Sequence, residues 1–179
     1  MGLEIERRFI VDGRNDTPWR SGNSISIFQC YLSGVSHSEG AIVWKGHSLT
    51  NEERVLGNIS TWRIRLQEDE VILTAKGFRV GATAIEHEWQ ISKELFDSLP
   101  LEGLPSITKT RHLWPGEDDL LWEVDEFEGE LAGLIIAEVE LEREDQDVII
   151  PSWTGLELTT LRGWSNAALS RMIMDAKQP

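Results

Sequence analysis

Charged residues of both signs recur at alternate positions along this chain, and that spacing is what carries chemical consequence. Glu4, Glu6 and Arg8 open the series. Arg63 and Arg65, Thr74 and Lys76, Glu86 and Glu88, Lys109 and Arg111, and Glu123 and Asp125 continue it, and Glu138, Glu140 and Glu142 close it. On a β-strand, residues i and i+2 share a face, so each set stands on one side while neighbours such as Ile5, Ile64, Val124 and Val139 take the other. Two carboxylates so spaced lie roughly 6–7 Å apart. At an effective dielectric of about 20 they repel by roughly 2.5 kcal/mol when both are ionised. Turning several such pairs inward therefore demands protonation, neutralisation by Arg or Lys, or a bound cation. Hard oxygen donors suit Mg²⁺ or Mn²⁺ rather than zinc, and Arg and Lys pairs have the charge and geometry to hold phosphate. The pattern predicts a tunnel with a carboxylate end for metal and a basic wall for phosphate. The simpler alternative is a sheet whose charged face is wet.

Strands must position these residues, and eight are readable. They run over 2–11, 24–32, 61–67, 70–76, 83–91, 107–114, 120–127 and 134–143, with hairpin signals at Glu68-Asp69 and Pro115-Gly116. Ser92 reads as the N-cap of a short helix over 93–99 stopped by Pro100, and Ser165-Asn166 cap a final helix over 167–177. That last helix carries Leu169, Met172, Ile173 and Ala176 on one face, fit for packing or for plugging one tunnel mouth. Eight is about the number at which an antiparallel sheet closes around a filled interior, and closure removes the exposed edges. The expected fold is α+β, mainly β: an eight-stranded antiparallel closed barrel, or tunnel, with flanking helices and a C-terminal helix. It forms a single domain over 1–179, with an insertion at 33–60. The insertion holds Gly34, Gly40, Gly46, Gly57 and a short apolar piece, Ala41 to Trp44; a connection of that length usually has structure of its own or serves as a lid. His37 and His47 within it lack metal spacing and are expected at the surface. The outward apolar residues Ile64, Leu66, Ile72, Trp89, Val124, Val139 and Leu141 need a covering layer, drawn from the helices and some of the eight tryptophans.

A formal charge of −14 argues against DNA, RNA and anionic membranes as partners. A phosphate ligand must then rely on a local gathering of Arg8, Arg63, Arg65, Lys76, Lys109 and Arg111. Cys30 is the sole cysteine, so no intrachain disulfide can form and a reducing compartment is expected. No apolar run approaches the roughly 20 residues of a membrane span, and charged residues arrive at once at the N-terminus. These features together place a soluble protein in the cytoplasm.

Taken in order, the motifs resemble those of the CYTH family, the triphosphate tunnel metalloenzymes. That family includes class IV adenylate cyclases, thiamine triphosphatases and bacterial inorganic triphosphatases. Its opening E-x-E-x-K is met by Glu4, Glu6 and Arg8, its R-x-R by Arg63 and Arg65, its T-x-K by Thr74 and Lys76, and its acidic middle strand by Glu86 and Glu88. Its K-x-R is met by Lys109 and Arg111, its E-x-D-x-F by Glu123, Asp125 and Phe127, and its E-x-E-x-E by Glu138, Glu140 and Glu142. The resemblance implies an antiparallel tunnel that hydrolyses or cyclises a triphosphate with Mg²⁺ or Mn²⁺. It implies that Glu4, Glu6, Asp125, Glu138 and Glu140 are metal-side carboxylates, and that Arg8, Arg63, Arg65, Lys76, Lys109 and Arg111 clamp phosphates. Arg8 stands where the family has Lys and is effectively never deprotonated, so of the two catalytic candidates, Arg8 and Lys109, only Lys109 can serve as a base. Trp164 stands where a family Tyr is common. The expected function is metal-dependent hydrolysis of inorganic triphosphate or another small triphosphate. The alternatives are a class IV adenylate cyclase or thiamine triphosphatase, and a protein that binds polyphosphate or nucleotide without hydrolysing it. The expected partner is a small triphosphate, with no nucleic acid and no membrane, and a homodimer is allowed.

Overall fold

The structure is a computed structural model describing residues 2–177. In chain order it runs β1 (Gly2–Val11), β2 (Ser24–Leu32), β3 (Ser36–Ser38), β4 (Ala41–Trp44), β5 (His47–Asn51), β6 (Ile59–Gln67), β7 (Glu70–Gly77) and β8 (Thr83–Ile91). There follow α1 (Lys93–Ser98), β9 (Ser106–Pro115), β10 (Leu121–Phe127), β11 (Ile135–Glu140), β12 (Thr154–Glu157) and α2 (Asn166–Lys177). The sheet order β11-β10-β9-β2-β6-β7-β8-β1 closes on itself because β11 also pairs with β1. The result is the eight-stranded antiparallel barrel that the alternation predicts. Strand β1 is the closing element. Glu4 lies opposite Ala84 of β8 on one edge, and Arg8 lies opposite Glu138 of β11 on the other.

Alternation then gives most barrel strands an outer face rich in apolar residues and an inner face carrying charge; the inner face of β2 is instead Ile25, Ile27, Gln29 and Tyr31. Val71, Leu73 and Ala75 of β7 are buried outside, whereas Thr74 and Lys76 turn inward. Ile72, expected outside, shares the inner face, because it is cross-strand partner to Arg65. The segment 33–60 supplies one outer layer. Strands β3, β4 and β5 form a separate three-stranded sheet, and Ile42, Trp44, Leu49 and Leu56 bury against Cys30, Ile64, Leu73 and Ile91. His37 is not free at the surface: its Nε2 lies 2.6 Å from the Glu52 carbonyl oxygen. A second outer layer is aromatic, with Trp19, Trp114 and Trp153 packed over Phe9, Trp122 and Val139. Strand β12, absent from the sequence reading, extends the sheet by pairing with the end of β1 that β8 leaves free, Phe9 opposite Glu157.

The interior itself changes character along its length. Ile107, Phe127, Ile136 and Ile10 fall on the inner parity of their strands and form an apolar cluster with Leu158 and with Leu169 of α2. The C-terminal helix, capped by Ser165 whose Oγ accepts the Ala168 N–H at 3.1 Å, thus lies against an apolar end and leaves the charged part of the interior to the rest. Among the described residues no helix is long and apolar enough to cross a membrane.

Candidate functional site

Three linked groups of charged side chains line the barrel. The first crosses β6, β7 and β8. Arg63 donates to Thr74 Oγ1 at 3.0 Å, and Thr74 donates to Glu88 at 3.1 Å. Arg63 stands 3.6 Å from Glu86 and 3.5 Å from Glu88, and Arg65 3.6 Å from Glu88. These separations are too long for good hydrogen bonds. Burial, and then the neighbouring Arg63, lower the pKa of Arg65. The Nε atoms of Arg8, Arg63 and Arg65 are all buried without a partner. Facing them from β2 are Gln29 and Tyr31, cross-strand partners of Arg65 and Arg63, with Gln29 Nε2 donating to the Tyr31 hydroxyl at 2.7 Å. Burial pushes that phenol well up.

The second group gathers around β1. Lys76 Nζ lies 2.8 Å from both carboxylate oxygens of Glu4 and 3.4 Å from Glu86, while Arg79 lies 2.5 Å from Glu6 and 3.4 Å from Glu4. Burial works against ionisation of Glu4, but Lys76 overrides it and holds the carboxyl at about 2. Glu6 goes the other way, to about 7: burial leads, and repulsion from Glu138 and Glu4 outweighs the cations Arg8 and Lys76. Glu86 is pushed up to about 8, by burial first; Lys76 opposes the shift and Glu4 adds to it.

The third group is the deepest. Asp125 and Lys109, each 1% exposed, form an ion pair. Arg111 clasps the same carboxylate through Nε at 2.7 Å and Nη2 at 2.8 Å, pairs with Glu123, and reaches Glu138 at 3.4 Å. Arg8 closes the chain on Glu138 at 2.5 Å. Burial favours neutral Asp125, but Arg111 and Lys109 prevail and hold it far below the usual carboxylate range. Burial lowers Lys109 to about 8 in spite of Asp125. Glu138 is lowered by Arg8 against its burial.

The barrel thus brings Glu4, Glu6, Arg8, Arg63, Arg65, Lys76, Lys109, Arg111, Asp125 and Glu138 into one interior. Glu140, opposite Glu6 in register, is exposed and joins no ion pair among the described residues. Acids and bases are interleaved rather than segregated: Glu138 faces Arg8 across β1 and β11, and Glu4 is met by Lys76 from β7. Asp125 faces Arg111 directly across β9 and β10. Among the described residues no three His, Cys, Asp or Glu side chains converge closely enough to hold a metal as they stand. The donor chemistry nevertheless fits a hard divalent cation. Glu4, Glu6 and Glu138 supply carboxylate oxygens of the kind such a cation takes, and after burial it is Glu138 and Glu4 that raise Glu6. Sequence reading missed Arg79, Gln29 and Tyr31. The last two sit on the alternating face of β2 and follow once its register with Arg65 and Arg63 is known; Arg79 lies in a connection with no periodic signal.

A pH dependence follows. Glu6 and Glu86 hold their protons in the folded state up to about 7 and about 8, against an ordinary value of 4.5. Between those limits the native state binds more protons than the unfolded chain, so stability falls as pH rises and the loss is complete above about 8. Metal-free protein is expected to melt at a higher temperature at pH 5.5 than at pH 8.5, and Glu6→Gln to reduce that difference. Scanning calorimetry across the range checks both; an unchanged slope in Glu6→Gln removes Glu6 as a cause.

A profile of the CYTH domain matches residues 50–169, from the end of β5 into α2. An inorganic triphosphatase of Acetivibrio thermocellus is 33% identical over 164 residues, covering 89% of this chain and 87% of that protein. An inorganic triphosphatase of Nitrosomonas europaea is 36% identical over 114 residues, 62% of this chain and 75% of that one. A crystal structure of an inorganic triphosphatase superposes with a TM-score of 0.59 at 29% identity, covering 95% of each chain.

Proposed function

This chain belongs to the CYTH family, and from that premise we propose that it is a metal-dependent triphosphatase, cleaving a phosphoanhydride bond of inorganic triphosphate or a similar small triphosphate inside the barrel. One observation carries the reading: three buried guanidinium Nε–H groups, on Arg8, Arg63 and Arg65, have no acceptor in the protein. A buried donor without a partner costs free energy, and phosphate oxygens are the acceptors that arginine forks fit. The loose pairs of Arg63 and Arg65 with Glu86 and Glu88 leave those cations free to grip a ligand.

In this reading Arg8, Arg63, Arg65, Lys76 and Arg111 bind and orient the phosphate chain and offset charge that builds on the leaving oxygen as the anhydride bond breaks. Glu4, Glu6, Glu138 and Glu140 would hold Mg²⁺ or Mn²⁺, with Asp125 fixing Lys109 and Arg111 beside them. When bound, the cation supplies further charge neutralisation at the phosphoryl group. Water attacks the terminal phosphorus and its proton must leave. Lys109, lowered to about 8, can accept it only in its neutral form, whose share grows as pH rises toward 8 and beyond, whereas Arg8 remains charged and serves as a phosphate ligand. The Cys30 thiol, buried among apolar side chains and pushed up to about 12, takes no part. A second reading, binding without turnover, draws on Arg8 alone.

Phosphate release from tripolyphosphate, ATP and thiamine triphosphate, each with Mg²⁺ and with Mn²⁺, tests the proposal. Tripolyphosphate is expected to turn over fastest and only with a cation present. Thermal stabilisation by tripolyphosphate with no release supports binding alone, and cyclic AMP from ATP identifies a cyclase.

A further inference from the structure

Residues 78–82 join β7 to β8 beside Glu4 and Glu6, and one side chain fastens them there. Arg79 Nη2 reaches Glu6 at 2.5 Å and Glu4 at 3.4 Å, while Nη1 donates to the Ala82 carbonyl at 2.8 Å. That carbonyl also accepts the Glu6 N–H at 3.2 Å, so connection and β1 meet through one carbonyl and one guanidinium. Little else holds the connection. Phe78 and Val80 are 72% and 77% exposed, and beyond Arg79 the ties are the Glu6 N–H bond to Ala82, the packing of Ala82 on the Trp19 cluster, the Val80–Thr83 bridge and a Thr83 hydrogen bond to Glu144 at 2.6 Å. Lys76 already covers both oxygens of Glu4, and among the described residues Arg79 is the cation in direct contact with Glu6.

A guanidinium and a divalent cation compete for the same oxygens, and Arg79 cannot vacate them by losing its proton. We propose that Arg79 is the resident counter-ion of this carboxylate pair, seated on Glu4 and Glu6 when no divalent cation is bound and displaced when one enters. Connection 78–82 is then fastened in the cation-free protein and released in the loaded one. The inference rests on the reading above, that Glu4 and Glu6 take the cation. Its physical content is a competition: apparent cation affinity is lowered by the fraction of molecules in which Arg79 occupies the oxygens.

The test needs no turnover. Metal-free protein is titrated with Mn²⁺ and the free-ion EPR signal is followed. Arg79→Gln, which keeps an amide able to reach Ala82, is expected to bind Mn²⁺ about tenfold more tightly than wild type, and Glu6→Gln more weakly. Wild type supplies a second readout, because trypsin cleaves after Arg79 and should do so faster once Mn²⁺ has displaced that side chain; this readout decides if Arg79→Gln does not fold. Wild-type binding of Mn²⁺ with no gain in Arg79→Gln overturns the proposal and leaves the carboxylate reading standing. With an unfolded variant, unchanged cleavage after Arg79 does the same. Failure of wild type and Arg79→Gln alike to bind Mn²⁺ or Mg²⁺ removes the carboxylate reading, and this inference with it.

Discussion

Asp125→Asn is expected to lower the thermal midpoint by about 10 °C or more, the largest stability loss of any single charge removal in the barrel. Asp125 is 1% exposed and meets two cations at once, Lys109 and the bidentate Arg111. Asparagine keeps the shape but removes the charge that compensates them. Breaking a buried pair from one side strands the other member, at a cost of about 3–5 kcal/mol. Lys109, already lowered by burial, then loses its proton more readily still. Arg111 has no such escape, and its remaining partners are Glu123, and Glu138 at 3.4 Å. Adding Lys109→Met should restore part of the loss, since removing both members of a buried pair costs far less than removing one. Calorimetry on the two single variants and the double variant reads this as a coupling energy. An Asp125→Asn midpoint within about 2 °C of wild type would show the pair to be solvated rather than buried.

The same pair shows where the sequence stops informing. Spacing alone puts Glu123 and Asp125 on one face of β10 and Lys109 and Arg111 on one face of β9, and the structure keeps both faces inward. What spacing cannot supply is register. Asp125 comes to lie opposite Arg111 because β10 pairs with β9 from Leu121↔Pro115 to Phe127↔Lys109, a choice set by the turn at 116–120 and by packing on both strands. An acid expected beside other acids therefore ends between two bases. The eight barrel strands were legible for the opposite reason: each is long enough for several repeats of the period, and apolar residues alternate with charges on nearly all of them. Strands β3 to β5, of three to five residues, repeat too few times to declare a period. Their evidence is Ile42, Trp44 and Leu49 seeking cover against β6 and β7, which only the tertiary fold reveals. Strand β12 exists because β8 leaves the end of β1 unpaired, again a fact about neighbours. Arg79 had no signal at all, being a charged residue in a connection until β1 is laid beside it.

Glu138→Gln should separate the metal role of the interior from its phosphate role. Glu138 is 7% exposed, accepts Arg8 at 2.5 Å and lies 3.4 Å from Arg111, directly across β1 and β11 from Arg8. Glutamine retains a carbonyl for Arg8, so the barrel should fold with a lowered thermal midpoint because the Arg8 charge is less compensated, and it withdraws a unit of negative charge from beside Glu6. Cation binding is expected to weaken, and hydrolysis of tripolyphosphate to fall by about 10²–10³-fold, as when one preorganised electrostatic contact to a transition state is removed. Affinity for tripolyphosphate in the absence of cation should hold steady or rise, because Arg8 and Arg111 then face the ligand with one fewer competing carboxylate. That opposite movement distinguishes a cation site from damage to the fold, which would weaken both ligands together. Calorimetric titration with Mn²⁺ and, separately, with tripolyphosphate measures the two affinities. A variant that loses both in parallel assigns Glu138 to structure, and one that hydrolyses at close to the wild-type rate removes it from the reaction.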